Sequence, residues 1–285
     1  MISITKSSGK KMRFSLKKLR RSLKKTGANE QVIAKIIDKV RGDLYHGIST
    51  KKIYNRAFEL LKKEKNCFAS RYKLKKAIYE LGPTGFPFER FVSAVLKYSG
   101  YKTEVGVILQ GHCVTHEIDV VAQKNDEVII IECKFHSEQG PKCNVKVPLY
   151  IHSRYRDVEK YWNAALNNKT QLKECWVVTN TRFTIDALTY GECSGLKLLS
   201  WDYPFNDSLK DKIDKLGLYP LTVSTLLTNR EKQNLLNKGI VLCRELIEDS
   251  FYLDALKISE IRKQRIQNEI EQLCNLNKNE GEKNC

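Results

Sequence analysis

Two stretches decide the fold: His116-Glu117-Ile118-Asp119-Val120-Val121, and, after a turn at Lys124-Asn125-Asp126, Val128-Ile129-Ile130-Ile131-Glu132-Cys133-Lys134. Both are short and rich in β-branched residues, and the polar turn between them predicts a hairpin. Side chains alternate along a strand, so Glu132, Lys134 and His136 share one face and Cys133 points to the other. Asp119 and Glu132 lie 13 residues apart, about the separation an antiparallel hairpin needs to set two carboxylates side by side. Such a pair repels itself unless a divalent cation lies between, and Mg2+ takes few carboxylates together with waters and substrate phosphate. A lysine on the same face can orient attacking water or stabilise charge developing on a phosphate. Glu117 shares the face of Asp119 and could ligate the same ion; motif position favours Asp119.

Around this hairpin the periodicity alternates between helix and strand. Pro87 opens an amphipathic helix through Phe88, Phe91, Val92, Val95 and Leu96, ending near Gly100. Residues 104–109 and 114–122 read as strands joined at Gln110-Gly111, and 148–168 as a helix. Residues 176–179 and 196–201 read as strands flanking a helix over 184–190. A mixed α/β domain over 84–202 is predicted. Before it, residues 1–82 read as a mainly helical unit after a short extended start, with Ser15, Ser49 or Thr50 as caps and Gly27 as a stop. After it, 204–275 is helical. There, residues 226–236 and 241–247 around Lys238-Gly239-Ile240 resemble a helix-hairpin-helix whose turn could present N–H groups to a phosphate, a packing hairpin being the alternative. The polar tail 276–285 is expected to be disordered.

An acid on a helix, an Asp ending one strand and Glu-x-Lys ending the next resemble the PD-(D/E)xK nuclease superfamily, in particular its restriction-endonuclease-like (Mrr-like) group. The resemblance covers roughly 84–202 and implies a catalytic set of Glu89, Asp119, Glu132 and Lys134. It also implies a metal held by Asp119, Glu132 and the backbone carbonyl of Cys133. Ile118 stands where the name-giving Pro would be. His136, Lys146, Tyr150, Arg154 and Arg156 are the expected DNA contacts, a solvated basic helix face being the alternative for the last four. No zinc pattern links His112, Cys113 and His116.

The N-terminal blocks Ile4-Thr5-Lys6-Ser7-Ser8-Gly9-Lys10, residues 14–22 and Gly47-Ile48-Ser49-Thr50-Lys51-Lys52-Ile53 resemble an ATP-cone, a nucleotide-sensing module. That match implies a nucleotide site at Ile4, Lys6, Gly9, Lys18, Tyr54 and Arg71, with Ser7 and Ser8 replacing the usual Arg-Asp pair.

The chain has 285 residues, with 50 Lys and Arg against 33 Asp and Glu and a formal net charge of +17. Residues 1–82 hold 23 basic and six acidic residues, whereas 83–285 hold 27 of each. The excess therefore belongs to the nucleotide-binding unit, which predicts an additional salt-sensitive, non-specific DNA contact there. No apolar run approaches the ~18–20 residues of a membrane span, and the first residues have no apolar signal core. Nine cysteines without a Cys-x-x-Cys pair read as reduced thiols of a cytoplasmic protein. With the paired carboxylates and lysine of the hairpin, the two resemblances imply a Mg2+- or Mn2+-dependent restriction-type endonuclease acting on DNA, with ATP or dATP as effector. Cutting both strands suggests a homo-oligomer, a dimer or higher. A nucleotide-dependent DNA-binding regulator without catalysis, or an RNA- or structure-specific nuclease of the same fold, is the alternative.

Overall fold

A computed structural model describes residues 2–6, 8–164 and 170–274; the tail 276–285 lies outside the described residues. The N-terminal unit holds four helices, α1 (Leu16–Lys24), α2 (Glu30–Gly42), α3 (Thr50–Glu64) and α4 (Asn66–Tyr79). Side chains of Ser15, Asn29 and Ser49 accept from the backbone N–H three residues on, capping α1, α2 and α3. Leu19, Leu23, Ile33, Ile36, Ile53, Ala57 and Leu61 meet in one core. This unit is not wholly helical. The strands β1 (Ser3–Thr5), β2 (Lys11–Arg13) and β3 (Ile48–Ser49) form a small sheet of order β2-β1-β3. Strands of two or three residues are too short for alternation to register in a sequence.

The central domain begins with α5 (Phe86–Lys97), which has Pro87 in its first turn, where a missing N–H costs nothing. The strands β4 (Lys102–Gln110), β5 (Thr115–Lys124), β6 (Glu127–Lys134), β7 (Gln171–Thr179) and β8 (Lys197–Leu199) follow, with α6 (Lys146–Ala164) and α7 (Ile185–Cys193) between the later ones. They pair in the order β4-β5-β6-β7-β8, antiparallel from β4 to β6 and parallel from β6 to β8. The middle strand is covered on both sides, which explains the unbroken run Val128–Ile131. Ile129, Ile131 and Cys133 pack with Phe88, Phe91 and Val92 of α5, while Val128 and Ile130 pack with Ile151 and Val158 of α6.

The C-terminal region contains α8 (Leu209–Leu216), a 3-10 turn at Leu221–Val223, α9 (Asn229–Asn237), α10 (Glu245–Glu248), α11 (Phe251–Asp254) and α12 (Glu260–Cys274). It is not a helix-hairpin-helix. After Gly239 the chain is extended, Leu242 bridges Pro220, and helix resumes only for the four residues of α10. The turn's N–H groups are used internally: Gly239 and Ile240 donate to the carbonyls of Leu236 and Leu235, and Val241 and Leu242 to the Glu245 carboxylate. None is left for a phosphate. α4 serves two cores, since Ala69 belongs to the N-terminal one, whereas Leu74, Ala77 and Ile78 join Phe88, Leu221, Ile266 and Ile270 in the other.

Candidate active site and nucleotide pocket

The antiparallel ladder of β5 and β6 is last paired at Val120 with Ile131, so the next step in register sets Asp119 opposite Glu132 where the strands part. β5 changes face at that point. Val120 and Ala122 pack toward α5, whereas Ile118 and Val121 pack toward α6. The β4 residue that Asp119 would oppose is Gly106, at φ +66°, a conformation open to glycine without strain. This twist aims the Asp119 carboxylate along the sheet, where it accepts the Cys133 N–H at 2.7 Å. A strand residue's N–H and C=O point to the same edge, so the Cys133 carbonyl faces the same gap. Its thiol is buried on the α5 side.

Glu132 is almost fully buried and both of its oxygens are engaged, Oε1 by Lys134 and Oε2 by the Arg154 guanidinium at 2.8 Å. Arg154 also donates to the Glu117 carbonyl. Glu89, on the first turn of α5, faces the same space from the other side of the sheet. Burial, then the charges of Asp119, Glu132 and Glu117, push its carboxyl up to about 7. Burial and the charge of Glu132 push Asp119 up to about 6, against the pull of the Cys133 N–H, Lys134 and Arg154. Burial alone would lower the Lys134 ammonium, but its hydrogen bond to Glu132 and the charges of Glu132 and Asp119 raise it. Asp119 and Glu89, each raised in part by the neighbouring acids, stand near Glu132 and the Cys133 carbonyl, oxygen donors of the kind that could hold a hard divalent cation. Among the described residues no cluster of three or more His, Cys, Asp or Glu side chains is already gathered around a single point. Both oxygens of Glu132 are held by cationic side chains.

The other candidates are distributed around this centre. His136 lies just beyond Lys134; its backbone N–H donates to Asn180 Oδ1 at 2.9 Å and its carbonyl accepts from Asn180 Nδ2 at 2.7 Å, and burial lowers its imidazole. Asn180 is fully buried and had no signal in the sequence. Lys146 opens α6, Tyr150 is 60% exposed beneath the Arg154 guanidinium, and Arg156 pairs with Glu159 on the outer face. Arg154 thus points into the acidic centre, unlike its neighbours. Its spacing from Ile151 and Val158, three residues after one and four before the other, is the signal that places it on the inward stripe.

α6 is tied to the β4–β5 hairpin by Asp157, which accepts from His116 at 2.8 Å and from the Cys113 and Val114 N–H groups at 2.9 and 3.3 Å. His116 and Cys113 are therefore parts of a clamp. The clamp requires glycine at 111, where a Cβ would come within 2.5 Å of the Val114 carbonyl oxygen and 2.2 Å of Asp157. Gly111→Ala is expected to cost about 1–3 kcal/mol in stability by overpacking, measured by urea unfolding. An unchanged unfolding midpoint would show that the hairpin yields freely.

The N-terminal unit contains a cavity of about 290 Å3, walled by Ile4, Lys6, Arg13, Lys18, Tyr54 and Tyr72 among others. The rings of Tyr54 and Tyr72 stack at 5.0 Å, and the buried Tyr54 hydroxyl has no hydrogen-bond partner among the described residues. Gly9 is not in the wall; it turns the β1–β2 hairpin at φ +77°, its N–H donating to the Lys6 carbonyl. Arg71 is elsewhere altogether. It donates to the carbonyls of Thr26, Gln272 and Leu273, joining the N-terminal unit to the end of α12.

This sheet, with its helix-borne acid and the Asp and Glu-x-Lys at the parting of two strands, is that of a restriction-endonuclease-like domain joined to a nucleotide-binding unit. The restriction endonuclease family (Mrr catalytic domain) matches residues 83–202, the ATP cone domain family residues 2–79, and the AF1548-like C-terminal family residues 219–274. An uncharacterized protein of Archaeoglobus fulgidus is 35% identical over 157 residues, spanning 55% of this chain and 83% of that one. The crystal structure of a protein of unknown function, AF1548, superposes with a TM-score of 0.53 at 29% identity, covering 69% of this chain and 98% of the other. The chain belongs to the family of this Archaeoglobus fulgidus protein and carries an ATP cone domain, an Mrr-type restriction endonuclease domain and an AF1548-like C-terminal segment. No helix among the described residues is long and apolar enough to cross a membrane.

Proposed function

We propose that the chain is a divalent-metal-dependent endonuclease that hydrolyses DNA phosphodiester bonds and takes ATP or dATP in its cone as effector. The observation that carries this reading is the meeting of Glu89, Asp119, Glu132 and Lys134 where β5 and β6 part. Asp119, Glu132 and the Cys133 carbonyl would hold Mg2+ or Mn2+, which when bound polarises the scissile phosphate and supplies water as nucleophile. Glu132 must then give up one of its two cationic partners. Lys134, released toward the open side, is placed to orient the attacking water and to offset charge on the phosphate. Glu89, whose carboxyl is pushed up to about 7, can accept or deliver a proton at the edge of the site. His136, Lys146, Tyr150 and Arg156 would meet the DNA backbone around it, and a dimer or larger assembly would present two such sites to the two strands. In the cone, Lys6, Arg13 and Lys18 have no carboxylate partner among the described residues and would take the phosphates, with the Tyr54 and Tyr72 rings beside the base.

The test is incubation of the protein with supercoiled plasmid and with RNA, in Mg2+, in Mn2+ or in chelator, with and without ATP and dATP, beside Lys134→Ala. Metal-dependent nicking or linearisation of plasmid that Lys134→Ala lowers by about 10^2-fold or more is expected. Cleavage of RNA alone would move the substrate to that class. Nucleotide-dependent plasmid binding with no cleavage in any metal would replace the nuclease by a regulator.

A further inference from the structure

A second cavity, of about 540 Å3, opens between α3, α4 and the C-terminal region. Its polar wall includes Lys62, Lys73, Lys76, Ser224, Thr225 and Lys232. Lys232 is only 6% exposed. Its ammonium donates to the Ser224 carbonyl at 2.6 Å and faces the Lys73 ammonium. Lys73 is itself bonded to the Thr222 carbonyl at 3.0 Å and to Glu80 at 2.7 Å, and Glu80 is shared with Lys76 at 3.5 Å. One carboxylate thus pairs with two ammonium groups, and no carboxylate pairs with Lys232 among the described residues. The Ser224 and Thr225 hydroxyls give their protons to Glu269, so they do not offset the charge. On the wall itself, Glu59 is the acid that accompanies the four lysines.

A buried ammonium has three protons to place and is costly unless an anion or several acceptors meet it. Lys232 has one carbonyl and a like charge, with the charge of Glu80, already paired with Lys73 and Lys76, acting in its favour. Burial and Lys73 lower its ammonium to about 8, so it carries its charge at neutral pH. Neither the acidic centre nor the nucleotide pocket accounts for this cluster.

We propose that this cavity is a second anion site, built to bind a small phosphorylated molecule through Lys232, Lys73 and Lys76. Lysines are compact charges suited to phosphate oxygens, and a cavity between two packed modules admits a small polyphosphate rather than a duplex. Tyr54 lines both this cavity and the nucleotide pocket. A ligand in either one therefore meets the same ring, and any effect of one site on the other must be reciprocal.

The probe is inorganic tripolyphosphate, titrated calorimetrically onto the full chain at constant ionic strength. A Lys6→Ala/Lys18→Ala variant, crippled in the nucleotide pocket, is expected still to bind it. Adding Lys232→Met to that background should weaken binding about tenfold or more, the loss of one charge-assisted bond. Lys76→Ala, at a more exposed position, should weaken it in the same direction without touching the core. Lys232→Met alone should keep ATP binding in the nucleotide pocket and, free of ligand, should melt no lower than wild type. No binding by the Lys6→Ala/Lys18→Ala variant, or binding that Lys232→Met leaves unchanged, would overturn the site. So would a Lys232→Met protein that melts lower without ligand, because Lys232 would then act as a structural bond to Ser224. Neither result would touch ATP binding in the nucleotide pocket or the nuclease assay.

Discussion

Asp119→Asn is expected to lower DNA cleavage by about 10^3-fold or more while making the metal-free protein more stable than wild type. The two effects have one origin. Burial and the neighbouring Glu132 hold the Asp119 carboxyl up at about 6, and burial with the surrounding acids holds Glu89 up at about 7. Both would titrate near 4 in the unfolded chain. The folded state therefore binds more protons than the unfolded one in between. Stability contributed by these groups is full below about pH 4 and is lost as pH rises through 6 to 7. Asparagine keeps an acceptor for the Cys133 N–H and removes one of the repelling charges. Its gain should be on the order of 1–2 kcal/mol at pH 8 in chelator and should vanish near pH 4. Denaturant unfolding of both proteins at the two pH values checks it. Mg2+ should raise the stability of wild type at pH 8 and leave Asp119→Asn nearly unmoved. A variant that is active, or less stable than wild type at pH 8, would remove Asp119 from the metal-binding role.

Glu269→Ala is expected to cost about 3–5 kcal/mol, because four donors would lose their acceptor in a buried place. The Glu269 carboxylate is 3% exposed. It accepts from Ser70 Oγ at 2.7 Å, Ser224 Oγ at 2.6 Å, and the Thr225 N–H and Oγ1 at 2.8 and 2.7 Å. Ser70 lies on α4 and the others in the C-terminal region, so the loss falls on their junction. Ser70→Ala in the Glu269→Ala background should add little, since the bond between them is already gone. A cost below about 1 kcal/mol, or full additivity of the two changes, would show that water or rearranged partners satisfy the donors.

The central hairpin was legible in the sequence because two strong signals agreed: the unbroken run at 128–131 and the polar turn before it. The 13-residue spacing then gave the register that sets Asp119 against Glu132. Other features lay below that threshold. β2 and β3 are too short for any period to show, and Val241, Leu242 and Cys243 look apolar in either a helix or a buried extended segment. Their true state is decided by the bridge to Pro220, a contact across 22 residues. Arg154 shares the basic character of Lys146 and Arg156, which suggests an outward contact, although Ile151 and Val158 mark its stripe as inward. The ATP-cone resemblance implies Arg71 as part of a nucleotide site, yet its acceptors are the carbonyls of Thr26, Gln272 and Leu273. All three acceptors are far away in sequence, two of them at the C-terminal end of another helix, which local patterns do not encode.

α4 divides its side chains between two cores, with Tyr72 in the wall of the N-terminal cavity and Leu74, Ala77 and Ile78 packed against Phe88 and Phe91. Residues 1–82 are consequently not a cassette. A recombination event that exchanged them for another sensor would strip the helix bearing Glu89 of part of its apolar floor. The breakpoint this architecture tolerates lies before Asn66, so that α4 is inherited with the central sheet and only the part up to α3 is free to diverge toward a different ligand.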